Sequence, residues 1–176
     1  MHLEKAQQIG FTNVATVETS EIVFDSSLID LCKQNVCGCY GRNYTCPPLC
    51  GEINTMIEKA KTYREMAVFQ KIYPLEDSYD FEGMRDAGTD FGRLVIALGE
   101  ALGDGNGERF ILLGAGGCRS CETCGAISKT PCPNPERAYA SLESYGIFVS
   151  ELAKSCGMKY INGENTVTYF GGILYD

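Results

Sequence analysis

The chain has 176 residues, ten of them cysteines, and carries a formal net charge of −8 at neutral pH. A chain of this length is the size of one ordinary domain, so we expect a single domain over residues 1–176. An acidic chain lacks the clustered lysines and arginines that bind nucleic acids, which argues against a nucleic-acid partner. His2 is its one histidine, which argues against catalysis by a histidine acid or base.

The first twenty residues contain no apolar stretch typical of a secretory signal, and no apolar run reaches the roughly 18 residues that a membrane span needs. We therefore expect a cytoplasmic protein with no membrane contact. Thiols stay reduced in the cytoplasm, so clustered cysteines there are more often metal ligands than disulfides.

In chain order, hydrophobic periodicity and turn residues predict five helices and four strands around two cysteine-rich segments. The predicted helices cover residues 2–9, 26–34, 52–62, 78–103 and 145–156. The predicted strands cover residues 13–24, 66–72, 109–115 and 166–174. The longest helix has apolar residues at gaps of three and four, which indicates one buried face. The glycine-rich residues 103–107 should end it.

The first cysteine segment, LCKQNVCGCYGRNYTCPPLCG, holds five thiols for the four ligand positions of a tetrahedral metal or cluster site. One possible ligand set is Cys32, Cys37, Cys46 and Cys50. A second set replaces Cys32 by Cys39. A loop that binds no metal is the remaining alternative.

The second segment, GCRSCETCGAISKTPCPNP, has the pattern C-x2-C-x2-C-x7-C-P, formed by Cys118, Cys121, Cys124 and Cys132. Bacterial ferredoxins hold a [4Fe–4S] cluster with C-x2-C-x2-C-x3-C-P, so this pattern predicts such a cluster with a longer last gap. A zinc site, which favours C-x2-C pairs far apart, is one alternative. Free thiols or disulfides are another. The glycines at 114–117 should let the backbone approach the cluster and donate N–H groups to its sulfurs.

The strings CGCYGRNYTCPPLCG and GAGGCRSCETC, with the later PCPNPERAYASLESYGIFVSELAKSCGMKY and NTVTYFGGILYD, resemble an uncharacterised family of small predicted metal-binding proteins. That family is described as a domain of unknown function. The resemblance runs from about residue 30 to the end. It implies that the ligands of the first segment are Cys32, Cys37, Cys46 and Cys50, with Cys39 at a variable position. It supports metal binding and implies no established activity.

The predicted order of strand, long helix and strand across residues 66–115 is a crossover unit, which makes its two strands parallel. We therefore expect an α/β or α+β domain whose sheet is partly parallel and flanked by helices. Both cysteine loops should meet at one edge of this sheet. The N-terminus of the helix at 52–62 should place a partial positive charge beside Cys46 and Cys50.

These observations predict a protein with two [4Fe–4S] clusters, most simply an electron carrier or redox subunit. Its acidic surface suits a redox partner protein with a basic patch. One alternative is an enzyme that binds a sulfur species or another substrate at an open iron. Another is a structural zinc protein. Cys156 should not be a ligand, because a lone cysteine in a helix usually packs as a small apolar residue.

Overall fold

Four strands of different lengths form one sheet, and helices cover both of its faces. The computed structural model describes residues 2–103 and 107–176. The strands are β1 Asn13–Glu18, β2 Glu65–Pro74, β3 Phe110–Leu113 and β4 Thr166–Tyr175. The helices are α1 His2–Ile9, α2 Leu28–Lys33, α3 Ile53–Lys61, α4 Phe81–Leu102, α5 Gly125–Ser128 and α6 Val149–Ser155.

The strand order is β1-β2-β4-β3, and every neighbouring pair is antiparallel. The predicted partly parallel sheet is therefore wrong, and the fold is α+β. β2 and β3 are both antiparallel to β4, so they point the same way, as a crossover requires. They do not pair, because β4 lies between them along its whole contact with β3. The sequence indicates the direction of the strands but not this insertion.

Alternating residues of β2 send side chains into two separate cores. Met66 and Val68 pack on one face with residues of β4 and α6. Ala67 and Phe69 pack on the other face with residues of α1 and α4. This period of two is what a central strand buried on both faces requires. The two faces thus hold the sheet rigid between α6 and α4.

The long helix α4 buries the apolar face that its periodicity predicts. The side chain of Asp80 accepts a hydrogen bond from the N–H of Gly83 (2.8 Å) and caps the first turn. At the other end, Gly103 has a φ of 60° and stops the helix. Residues 104–106 of the predicted glycine-rich break lie outside the described part of the chain.

Two predicted elements are several residues shorter in the structure. β1 ends at Glu18 because a 3₁₀ turn follows at Thr19–Glu21. The helix expected from residue 145 begins at Val149, after a 3₁₀ turn at Glu143–Tyr145. Within residues 2–103 and 107–176, no helix has the length and apolar character needed to cross a membrane.

Candidate metal-binding site

The first cysteine segment is folded by tight turns between α2 and α3. Asn35 has a φ of 54°, and its side-chain oxygen accepts a hydrogen bond from the N–H of Tyr40 (3.0 Å). Asparagine tolerates this left-handed conformation because its side chain bonds locally. The N–H of Gly41 then donates to the carbonyl of Pro47 (2.9 Å). These turns bring five cysteines into one neighbourhood.

Four of these thiols line a cavity of about 250 Å³. They belong to Cys32, Cys37, Cys39 and Cys46. Leu28, Leu31 and Val36 supply apolar walls, and the backbone of the glycines at 116–117 closes another side. The fifth thiol, of Cys50, adjoins them, since the N–H of Cys50 donates to the carbonyl of Cys46 (3.0 Å). The volume of this cavity is more than ten times the volume that a cavity needs to hold one water molecule.

Cys46 is the buried member of this group. Burial is the main cause that raises the pKa of its thiol to about 12, and the neighbouring Cys39 and Cys37 contribute to the same rise. The thiol is therefore protonated at neutral pH in the free protein. Metals bind the thiolate, so metal binding here must release a proton.

Two charged side chains differ in which thiol they influence. Burial is the main cause that raises the pKa of Cys32. The carboxyl group of Glu143, which lines the cavity, raises this pKa further. The guanidinium group of Arg119 opposes the rise that burial causes in the pKa of Cys39. Burial also raises the pKa of Glu143 itself. One end of the cysteine group thus lies near an acid, and the other near a cation.

The second cysteine segment surrounds a much smaller cavity, of about 20 Å³. Its lining includes all four predicted ligands: Cys118, Cys121, Cys124 and Cys132. Residues 43–45 of the first segment form part of its wall. The hydroxyl of Tyr44 donates to the carbonyl of Thr130 (2.8 Å) and ties the loop down from outside.

The long gap between Cys124 and Cys132 is taken up by α5, a single helical turn. Cys124 is its N-cap residue, and Lys129 ends it in the left-handed conformation with a φ of 57°. The N–H of Thr130 then donates to the carbonyl of Gly125 (2.9 Å). The departure from the ferredoxin spacing is therefore an inserted turn that returns the chain toward the other three cysteines.

The two segments are joined by a buried polar pair, Asn43 and Thr45. The side-chain amide of Asn43 donates to the carbonyl of Cys118 (2.9 Å), and the hydroxyl of Thr45 accepts from the N–H of Cys118 (2.9 Å). The hydroxyl of Thr45 also donates to the side-chain oxygen of Asn43 (3.0 Å). Both backbone groups of one predicted ligand are thus fixed by the other segment.

Gly117 lies where the segments come closest. A Cβ atom placed on it would lie 3.0 Å from the Sγ of Cys39 and 3.2 Å from the Sγ of Cys46. The sequence predicts that these glycines approach a cluster held by the segment they introduce. In the structure, Gly117 instead approaches the sulfurs of the other segment, which no local pattern could indicate.

The N-terminus of α3 differs from the expectation of a free positive end beside Cys46 and Cys50. Glu52 is the N-cap residue, and its carboxylate accepts a hydrogen bond from the N–H of Thr55 (3.1 Å). A negative side chain therefore satisfies one of the N–H groups and offsets the partial charge of the helix end.

Cys156 lies apart from both cysteine cavities, at the C-terminus of α6. It packs against the core on the α6 face of the sheet and lines a separate polar pocket with Gln70. Burial raises its pKa to about 11. These are the surroundings of an inert thiol.

In the described residues, no three side chains of cysteine, histidine, aspartate or glutamate form a group that could hold a single metal ion. Eight of the thiols instead line the two cavities, and Cys50 adjoins the first of them. Among the cysteine, histidine, aspartate and glutamate side chains that line these cavities, all except Glu143 are cysteines. Their soft sulfur atoms suit iron–sulfur clusters and zinc rather than magnesium or calcium. The residues present therefore fit a thiolate-bound centre.

Several residues around the site escape sequence reasoning. Asn43 and Thr45 flank Tyr44 and directly precede Cys46 in the chain, so their position inside the first segment is a weak signal. Glu143 and Ser144, whose hydroxyl lies within hydrogen-bond reach of Cys50, come from a distant turn. Only the fold brings that turn to the thiols.

Comparison with curated proteins and with solved structures finds no match. A family model described as a predicted metal-binding protein (DUF2284) matches residues 15–175. This range includes both cysteine segments and every strand residue except the first two of β1. The resemblance expected from the cysteine strings is thereby confirmed. The chain belongs to this family of predicted metal-binding proteins.

Proposed function

We propose that this protein binds two [4Fe–4S] clusters, one at each cysteine segment, and exchanges electrons with a redox partner protein. The observation that carries the proposal is the convergence of the two thiol groups on Gly117 and Cys118. A bound [4Fe–4S] cluster supplies one-electron redox chemistry. The chain supplies thiolate ligands, fixes their backbone and limits access of water.

The second centre takes its four thiolates from Cys118, Cys121, Cys124 and Cys132. At the first centre, Cys37, Cys46 and Cys50 belong to both possible ligand sets. Cys32 or Cys39 supplies the remaining thiolate. The set that contains Cys32 is the one that family resemblance implies.

The roles of the other residues follow from their contacts. Asn43 and Thr45 hold the backbone of Cys118 in place, so a ligand of one centre is positioned by residues next to the other. Gly117 lets its backbone contact two sulfurs of the first segment. Such backbone contacts and hydrogen bonds to sulfur tune the potentials of iron–sulfur clusters.

A cluster is favoured over a structural zinc ion by the size of the first cavity and by the cysteine pattern of the second segment. A tetrahedral zinc ion draws its sulfurs to about 2.3 Å from one point. The thiols of the first segment border a space of about 250 Å³ instead. The proposal places the protein in the reducing cytoplasm, and its acidic surface would meet a basic patch on the partner.

The experiment is purification without oxygen, followed by counting of iron, sulfide and zinc per chain. The proposal expects a brown protein with about eight irons and eight sulfides, whose visible absorbance dithionite bleaches. Cys124→Ala should lose about half of the iron, because only the second centre depends on this thiol. A colourless protein with stoichiometric zinc would overturn the proposal.

Electron paramagnetic resonance tests the arrangement of the two centres. Reduced protein should show spectra broadened by interaction between two neighbouring spins, and Cys124→Ala should show one narrow signal. Two independent signals in the unaltered chain would contradict a shared site. Turnover of a substrate, or a change of the signal on adding cyanide, would favour an enzyme with an open iron over a carrier.

A further inference from the structure

The first segment offers five thiols for four ligand places, and the fold gives two of them, Cys32 and Cys39, different surroundings within the same cavity. We propose that Cys39, and not Cys32, supplies the fourth thiolate of the first centre. The other three ligands are then Cys37, Cys46 and Cys50. This inference rests on the proposed function, because it assumes a metal centre at the first segment.

Cys39 lies among the common ligands. Its Sγ and the Sγ of Cys46 are both in contact distance of the same point, the position a Cβ atom of Gly117 would occupy. The thiol of Cys39 also donates to the carbonyl of Cys37 (3.6 Å). A centre that uses Cys37 and Cys46 therefore finds the sulfur of Cys39 already beside it.

Cys32 lies on a different element. It belongs to α2, which packs against the 3₁₀ turn at Glu143–Tyr145. There it shares the cavity wall with Leu28, Leu31 and Glu143. The helix fixes the backbone of Cys32, whereas Cys39 follows Gly38 in a loop that can adjust to a metal.

The neighbouring cation favours the same choice. A thiolate ligand is negative, so a neighbouring cation stabilises it. Arg119 lies near Cys39, with its guanidinium group held by the carbonyl of Arg85 (2.9 Å) and the hydroxyl of Thr89 (3.0 Å). The cavity wall that Cys32 shares is lined by Glu143, which offers a thiolate no positive charge.

The consequence is a first centre with four thiolates and a free thiol at its side. Cys32 and the carboxyl group of Glu143 then border the part of the cavity that α2 and Val36 leave open. Val36 is 91% exposed, so this part of the cavity lies close to solvent. A small alkylating reagent should reach Cys32 in the metal-loaded protein.

The first test compares Cys39→Ser with Cys32→Ser, both purified without oxygen. Cys39→Ser should lose about half of the iron and sulfide, and Cys32→Ser should keep the content of the unaltered chain. The reverse result would overturn the inference, as would full retention in both variants. Unaltered protein with no iron or sulfide would instead overturn the proposed function.

The second test needs no variant, so it does not depend on how a variant folds. Metal-loaded protein is treated with iodoacetamide without oxygen, and modified cysteines are located by mass spectrometry. Cys32 should be modified and Cys39 protected, and Cys156 serves as a half-buried thiol outside the site. If the chain binds zinc instead of iron, the same pattern in zinc-loaded protein would still support Cys39. Protection of Cys32 with modification of Cys39 would refute it.

Discussion

Thr45 connects the two cysteine segments through one hydroxyl group, which accepts from the N–H of Cys118 and donates to Asn43. Thr45→Val keeps the shape of the side chain and removes both bonds. Because the N–H of Cys118 and the oxygen of Asn43 would stay without these partners, we expect a loss of about 1–3 kcal/mol in the free energy of unfolding. Chemical denaturation without oxygen measures it.

Thr45→Ser is the matched control, since it restores the hydroxyl group. It should recover most of the lost stability and the full metal content. Equal stability of Thr45→Val and the unaltered chain would show that water replaces the hydroxyl at this position.

Cys156 gives a prediction about a thiol outside the site. Cys156→Ala should keep the iron and sulfide content of the unaltered chain, because its side chain packs against the core and lines neither cysteine cavity. Metal analysis beside Cys124→Ala, which should lose half of the iron, makes the comparison. Loss of a centre in Cys156→Ala would mean that α6 moves its thiol to a metal.

At the scale of single residues, the sequence predicts those functional residues whose spacing is typical of a metal or cluster site. The four cysteines of the second segment line one cavity, as their two-residue gaps suggest. Glu143 and Arg119 could not be found this way. Their influence on Cys32 and Cys39 depends on contacts across more than seventy positions of the chain, and a glutamate or an arginine alone carries no signal.

Among the elements, β4 is the one that decides the architecture, and Gly171 lets it fit between its neighbours. A Cβ atom on Gly171 would meet the ring of Phe69 and lie 2.7 Å from the carbonyl oxygen of Leu113. Gly171→Ala should therefore force the backbones of β4 and β3 apart, at a cost of about 1–3 kcal/mol. Thermal or chemical unfolding measures the difference.

Gly172→Ala is the comparison on the same strand. Its Cβ atom would meet the end of the flexible Met66 side chain, and the nearest backbone atom, the carbonyl oxygen of Ala67, would be 3.1 Å away. Since a methionine can move aside, this variant should lose less stability than Gly171→Ala. A larger loss in Gly172→Ala would contradict the packing described for β4.

The elements themselves follow from local patterns, but their arrangement does not. The apolar face of α4 is visible in the spacing of its residues, and Asp80 marks its start. The place of β4 between β2 and β3 is set by which strand best covers both cores, and pairing of strands far apart in the chain has no local signature. The one-turn helix α5 also escapes prediction, because four residues are too few for a periodic pattern.

For the whole molecule, His2 links stability to pH. Its ring is buried against Tyr175, with ring centres 4.5 Å apart. Burial lowers its pKa, and the neighbouring Glu108 opposes this only in part. Between its lowered pKa and about 6.5, the unfolded chain binds more protons than the folded one. Stability should therefore fall as the pH drops below about 6.5.

Denaturation curves at several pH values between about 7.5 and 5.5 measure this effect. His2→Phe is the control, because it keeps an aromatic ring beside Tyr175 and cannot be protonated. Its stability should fall less steeply than that of the unaltered chain over the same range. The difference between the two chains isolates His2 from the pH dependence of metal binding. Identical curves would show that His2 keeps its charge paired with Glu108 in the folded state.

The pairing of distant segments also bears on how the chain reaches its folded state. The ladder between β2 and β4 joins Glu65 to Tyr175, and the bonds from Asn43 and Thr45 to Cys118 span 75 and 73 positions of the chain. Contacts so far apart form slowly, because long loops must close before any contact stabilises them. Throughout that delay the thiols are open to oxidants and to one another. Reductant and metal should therefore raise the yield of native protein when supplied during refolding, and much less when supplied afterwards.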